Sequence, residues 1–90
     1  MYRILETELF VQDLETQLGS HSAKLISKLR DFVYPSLKQN PYYGPNIKKL
    51  KNYQLDTWRY RIGDYRFFYE VNLKEKVIIM MAADHRKDCY

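Results

Sequence analysis

Arg59, Arg61 and Arg66 stand among Trp58, Tyr60 and Tyr65 in the stretch TWRYRIGDYR, residues 57–66. A guanidinium is a planar fork that stays protonated and donates two parallel N–H···O bonds, which suits it to phosphate. Strand alternation sends Trp58, Tyr60 and Ile62 to one face and Arg59 and Arg61 to the other. Gly63-Asp64 marks a turn, after which Tyr65, Phe67, Tyr69 and Val71 form the more apolar set, so Arg66 and Phe68 join the arginine face. The three guanidiniums are then expected within roughly 10 Å of one another. Such crowding repels unless an anion binds. The competing expectation is that the arginines pair with Asp56, Asp64, Glu70 or Asp84. Lys48, Lys49 and Lys51, one loop upstream, extend the positive field and favour a polyanion.

A second group closes the chain. His85, Arg86 and Tyr90 follow the last apolar run in ADHRKDCY, residues 83–90. Histidine is the one side chain whose unperturbed pKa lies near neutrality. If the preceding strand lies beside the arginine strands, this tail emerges at the rim of the basic face; otherwise it is an exposed tail. His21 is expected at the surface, far from both groups. Cys89 has no nucleophilic constellation around it, so cysteine-protease chemistry is unsupported.

The elements that would position these residues can be read from periodicity. Tyr2-Arg-Ile-Leu5 reads as a short strand. Thr7 is placed to cap a helix over residues 8–18, with Phe10, Val11, Leu14 and Leu18 on one side and Gly19 ending it. Ser20 or Ser22 starts a second helix carrying Leu25, Ile26, Leu29, Phe32 and Val33, whose end Pro35 should disturb. Residues 39–46, with two prolines and a glycine, read as a loop. The period then becomes two, and Val77 to Ala83 is an apolar run suited to a buried strand. The expected fold is α+β, β-α-α-β-β-β, a helical hairpin over one face of an antiparallel meander.

Composition bounds what this fold can be. Ninety residues, 46% hydrophobic and 29% charged, suit one globular domain spanning 1–90. The net charge is +4. Lys/Arg and Asp/Glu balance over residues 1–45, so the excess falls in residues 46–90, the half that holds the arginines. A single cysteine excludes an internal disulfide and leaves no Cys/His set for a structural metal, and no cofactor is expected. The first residues lack a signal-peptide pattern, and no run approaches a membrane span. A reducing, cytoplasmic setting is expected.

The chain resembles the RelE/ParE toxin superfamily of toxin–antitoxin pairs. The resemblance rests on Lys49-Leu50, on residues 58–71 with their G-x-Y-R-hydrophobic-x-Y pattern, and on His85-Arg86 followed by Tyr90. It runs over nearly the whole chain. As the resemblance implies, RelE-type members are ribosome-dependent endoribonucleases that enter the ribosomal A site and cut mRNA, the ribose 2′-hydroxyl attacking the adjacent phosphate. ParE-type members inhibit gyrase instead. A cognate antitoxin is implied by either. Carried over by position, Arg59 and Arg61 take paired basic positions on one strand, Arg66 the Y-R position, and Arg86 and Tyr90 the C-terminal pair. Arg59 and Arg61 stand where lysines are frequent in RelE-type members. Arginine cannot act as a general base, so these residues suit phosphate binding and transition-state charge. His85 is then the first candidate for proton transfer, and Tyr90 for stacking or proton transfer.

Overall fold

The computed structural model describes residues 1–19, 22–51 and 53–85. Strand β1 (Arg3–Glu6) leads into helix α1 (Glu8–Gln17). A second helical stretch comprises α2 (Ser22–Lys28), a π-helical turn (Leu29–Val33) and α3 (Tyr34–Gln39). Four strands follow: β2 (Ile47–Lys49), β3 (Thr57–Ile62), β4 (Tyr65–Asn72) and β5 (Val77–His85). They form one sheet in the order β1-β5-β4-β3-β2.

The start of α1 follows from its sequence. The Thr7 hydroxyl accepts the Phe10 N–H at 3.1 Å, satisfying one of the unpaired donors of the first turn. Gly19, at φ +56°, takes the left-handed conformation that commonly follows a helix end. Phe10, Leu14 and Leu18 are buried, whereas Val11 is exposed. Phe10 meets Phe67 with ring centroids 6.3 Å apart, which ties the helix to β4.

Three features depart from the expected layout. The helical stretch does not end at Pro35, which sits in the first turn of α3. Proline has no N–H to give to the preceding turn, and the π turn just before it widens the spiral there. Tyr34 N–H reaches the Leu29 carbonyl across five residues. This shift brings Leu29, Val33 and Leu37 into the core and turns Phe32 out, 71% exposed. A further short strand, β2, pairs antiparallel with β3. And β1 lies parallel to β5, so the sheet is mixed rather than a pure meander.

The meander itself is as expected. Ile62 faces Tyr65 across a two-residue turn with Gly63 at φ +57°, the first position that type II′ turns give to glycine. Phe67 and Tyr69 are fully buried under the helices, and the Tyr69 hydroxyl donates to the Pro41 carbonyl at 2.7 Å. Tyr60 and Ile62 pack against the same core.

One irregularity decides which way the last residues of β5 face. Phe68 faces Ala82, but Tyr69 faces Met80, so Met81 is an extra residue on β5. Ile78 and Met80 point into the core before the bulge, and Ala83 does so after it. The Asp13 carboxylate on α1 accepts the Ala83 N–H at 2.9 Å and holds the shifted register. Among the described residues no helix is long and apolar enough to cross a membrane.

Candidate phosphate-binding face

The register of β3 against β4 assembles the arginines. Arg61 faces Arg66, Arg59 faces Phe68, and β2 adds Lys48 opposite Arg59. Cross-strand partners share a face. Lys48, Arg59, Arg61, Arg66 and Phe68 therefore line one depression of about 280 Å³ on the face away from the helices, closed at one end by Gly63 and Asp64. The expected sharing of one sheet face by Arg59, Arg61, Arg66 and Phe68 holds in the structure.

The arginines are held differently. Arg61 Nε donates to the Gly63 carbonyl at 2.9 Å, which bends the side chain back over the hairpin turn. Arg66 donates through Nε and Nη2 to the two carboxylate oxygens of Asp84, at 2.9 and 3.2 Å, and its Cζ lies 5.7 Å from the centre of the Phe68 ring. The Arg59 side chain makes no hydrogen bond or ion pair among the described residues. Partial burial, then the positive charges of Arg61 and Arg66, lower its pKa. A guanidinium destabilised in its charged form by its own neighbours gains most from an arriving anion.

The three lysines are placed differently. Lys48 lines the depression. Lys49 faces Trp58, on the opposite side of β2, with its ammonium 5.8 Å from the Trp58 ring centre and 3.7 Å from Asp56, which also accepts the Trp58 indole N–H. Lys51 is exposed beyond the strand.

His85 is not brought to the arginines. It pairs with Tyr65, and the two rings stand 4.5 Å apart on the helix-covered face, beside Lys24 and Leu25. The physical reason is the bulge at Met81. Unbroken alternation from Ile78 and Met80 would have turned His85 to the arginine face; the extra residue reverses the parity and turns Asp84 there instead. Asp84 was legible only as one of four possible acidic partners, and Asp13, which holds the bulge, carried no signal in the sequence. Arg86, Tyr90, His21 and Cys89 lie outside the described residues. Among the described residues no group of three or more His, Cys, Asp or Glu could hold a metal ion.

Comparison with known proteins places this geometry. A family model described as the ParE toxin of the type II toxin-antitoxin system, parDE, matches residues 4–90. A chain of the RelB-RelE antitoxin-toxin complex from Methanococcus jannaschii is 32% identical, with 96% of this chain and 94% of that one covered and a TM-score of 0.70. A chain of the archaeal RelE-RelB complex from Pyrococcus horikoshii OT3 is 31% identical, with 94% of each covered and a TM-score of 0.69. The YoeB/ParE toxin from Agrobacterium tumefaciens shares the fold at a TM-score of 0.74 with 20% identity, covering 92% of this chain and 96% of that one. No curated protein matches. With the family model spanning residues 4–90 and two RelE–RelB complexes above 30% identity, the chain belongs to the RelE/ParE superfamily of type II toxin–antitoxin toxins.

Proposed function

We propose that this toxin is a ribosome-dependent endoribonuclease that cuts mRNA in the ribosomal A site and so inhibits translation in the cytoplasm. The observation that carries this reading is the convergence of Lys48, Arg59, Arg61 and Arg66 on one uncovered depression. Four cations around a space of this size suit a phosphate whose charge grows in the transition state. The 2′-hydroxyl of the preceding ribose attacks the phosphorus, and the leaving 5′-oxygen departs from the opposite side. Arg59, Arg61 and Arg66 hold the non-bridging oxygens and stabilise their added charge. Arg86 and Tyr90 complete the site from the C-terminal segment, as the resemblance implies. Proton transfer falls to Tyr90 rather than to His85, whose ring lies tilted beside Tyr65 on the other face. The ribosome supplies the substrate geometry that a cluster of cations alone does not impose.

A cognate antitoxin, like the RelB present with RelE in the two archaeal complexes, is the second partner of this reading. Its natural target is the basic face, where acidic residues would neutralise the cradle.

The test is primer extension on mRNA from an in vitro translation reaction, with and without ribosomes. Cuts within codons that need ribosomes, and that disappear in Arg66→Ala, are expected. Cleavage that survives both Arg66→Ala and Arg86→Ala counts decisively against the reading. The second reading, a ParE-like inhibitor of gyrase, is favoured by the family model over residues 4–90. Gyrase poisoning in a supercoiling assay, with mRNA left intact, would replace the first reading by the second.

A further inference from the structure

The uncovered face continues past the arginines. On β4, Arg66, Phe68 and Glu70 follow one another on the same side, and opposite them on β3 stand Arg61, Arg59 and Thr57. From Arg66 to Glu70 the strand advances about 13 Å, the scale of one extended nucleotide from its phosphate to the edge of its base. Beyond the cradle the face opens into a trough of about 430 Å³ lined by Leu50, Tyr53, Thr57, Phe68, Glu70 and Met81. Leu50 and Phe68 line both spaces, so the trough is continuous with the cradle.

The two spaces differ in charge. The cradle collects four cations, whereas the trough has none among the described residues of its lining and is bordered by the carboxylates of Glu70 and Asp84. Asp84 is engaged by Arg66. The Glu70 side chain accepts no hydrogen bond and forms no ion pair among the described residues, although it is half-buried beside Leu50, Phe68 and Met81. A carboxylate set among apolar groups without a donor costs stability, so the fold gives no reason for it. Tyr53 stands 62% exposed at the same trough, and with Phe68 it supplies aromatic surface for a planar ring. Phosphate is repelled here; an uncharged ring that carries N–H donors is not.

We infer that this trough is a nucleobase subsite beside the phosphate cradle, and that Glu70 selects guanine in it. A carboxylate only accepts hydrogen bonds, and guanine is the RNA base whose Watson–Crick edge presents two neighbouring donors, N1–H and the N2 amino group, to its two oxygens. Adenine and cytosine offer an amino group beside a ring-nitrogen acceptor, and uracil one N–H between two carbonyls, so each sets a lone pair against the carboxylate. Single-stranded RNA is read in this manner, by stacking on aromatic side chains and by hydrogen bonds to base edges. The inference rests on the reading of the basic face as an RNA phosphate site. Continuity with the cradle favours RNA over a protein side chain as the occupant, because a strand whose phosphate is held by the arginines carries its base to the trough.

The test measures binding of the full-length chain to short 2′-O-methyl oligoriboadenylates that carry one central guanine, inosine, cytosine or uracil, with the all-adenine oligomer as reference. The methylated ribose cannot attack phosphate, so binding is read apart from cleavage. The guanine oligomer should bind about 10-fold more tightly than the adenine, cytosine and uracil oligomers, the discrimination of one bidentate contact, with inosine, which lacks the N2 amino group, in between. The ¹³C-methyl signals of Leu50 and Met81 should shift most with guanine. Glu70→Gln should melt at or above the wild-type temperature and bind all the oligomers within about twofold of one another. Equal binding of all oligomers by the wild-type chain overturns the inference, as does a guanine preference that survives Glu70→Gln. Methyl signals that respond to an arginine-rich peptide and to no oligomer overturn it too, giving the trough to a protein partner. Should Glu70→Gln not fold, the guanine–inosine comparison and the methyl shifts of the wild-type chain decide. Selective guanine binding by a chain that cuts no mRNA on ribosomes would end the cleavage reading and keep the subsite; mRNA cleavage without base preference in binding would remove the subsite alone.

Discussion

Arg59 is the residue on which the charge of the open face weighs most. Burial and two neighbouring guanidiniums lower its pKa, and no acceptor among the described residues compensates. Arg59→Ala should therefore leave the melting temperature within a few degrees of wild type, as surface changes without lost partners do, within about 0.5 kcal/mol. Cleavage should nonetheless drop by about 10²- to 10³-fold, the usual loss when one transition-state donor is removed. Thermal melts beside primer extension check both halves, and undiminished cleavage would sink the assignment. His85 gives the opposite expectation. With its ring beside Tyr65, His85→Ala should keep the cleavage rate near wild type and leave the shape of the pH–rate profile unchanged. A profile that loses a limb near neutral pH in that variant would return the proton-transfer role to His85.

At the scale of elements, β5 and its bulge matter most. The Asp13 carboxylate reaches from α1 to the Ala83 N–H, so a helix side chain sets the register of the strand that carries Asp84. Asp13→Ala leaves that N–H without its acceptor and should destabilise the chain by about 1–3 kcal/mol. Asp13→Asn keeps an acceptor oxygen and should recover most of the loss. Urea unfolding of the two variants measures it; equal midpoints for Asp13→Ala and wild type would show that the register is held by other contacts. Much at this scale was legible beforehand. The Thr7 cap, the Gly63-Asp64 hairpin and the alternation of β3 and β4 are local, and each rests on residues with strong conformational preference. The π turn was not legible, because the pattern of Leu25, Leu29 and Phe32 fits an unbroken α-helix until Pro35 is accommodated. Nor was β2, a strand of three residues with two lysines that only its pairing with β3 defines.

For the whole molecule, three buried or half-buried tyrosines link the fold to pH. Burial, then the Glu6 hydrogen bond, raises the pKa of Tyr34, whose hydroxyl donates to Glu6 at 2.6 Å. Burial, then its contact with Tyr2, pushes Tyr42 up to about 12, and burial raises Tyr69. The folded state binds these protons more tightly than the unfolded chain, whose tyrosines titrate near about 10. The stability they contribute is fully present below that value and is lost as pH climbs through the raised pKa values. Thermal stability should therefore fall steeply from about pH 10 upward, and less so in Tyr42→Phe. Melting curves taken between neutral and strongly alkaline pH test this; an identical alkaline fall in Tyr42→Phe would remove Tyr42 from the account.

The charge-bearing half, the arginine face and the helix-covered face could be read from the residues alone, because strand parity between residues close in sequence needs no distant information. The sequence also carried enough of the pattern over residues 58–71 to indicate the superfamily. Contacts between distant segments settle which acidic residue meets Arg66, turn Lys49 away to Asp56 and Trp58, and put His85 across the sheet from the arginines. The reason is common to the last case and the first. In the apolar run Val77 to Ala83 nothing marks Met81 as the extra residue, since a bulge is selected by pairing with β4 and by Asp13 on a helix some seventy residues earlier. One inserted residue reverses a strand's parity, and with it which side chains face the arginines.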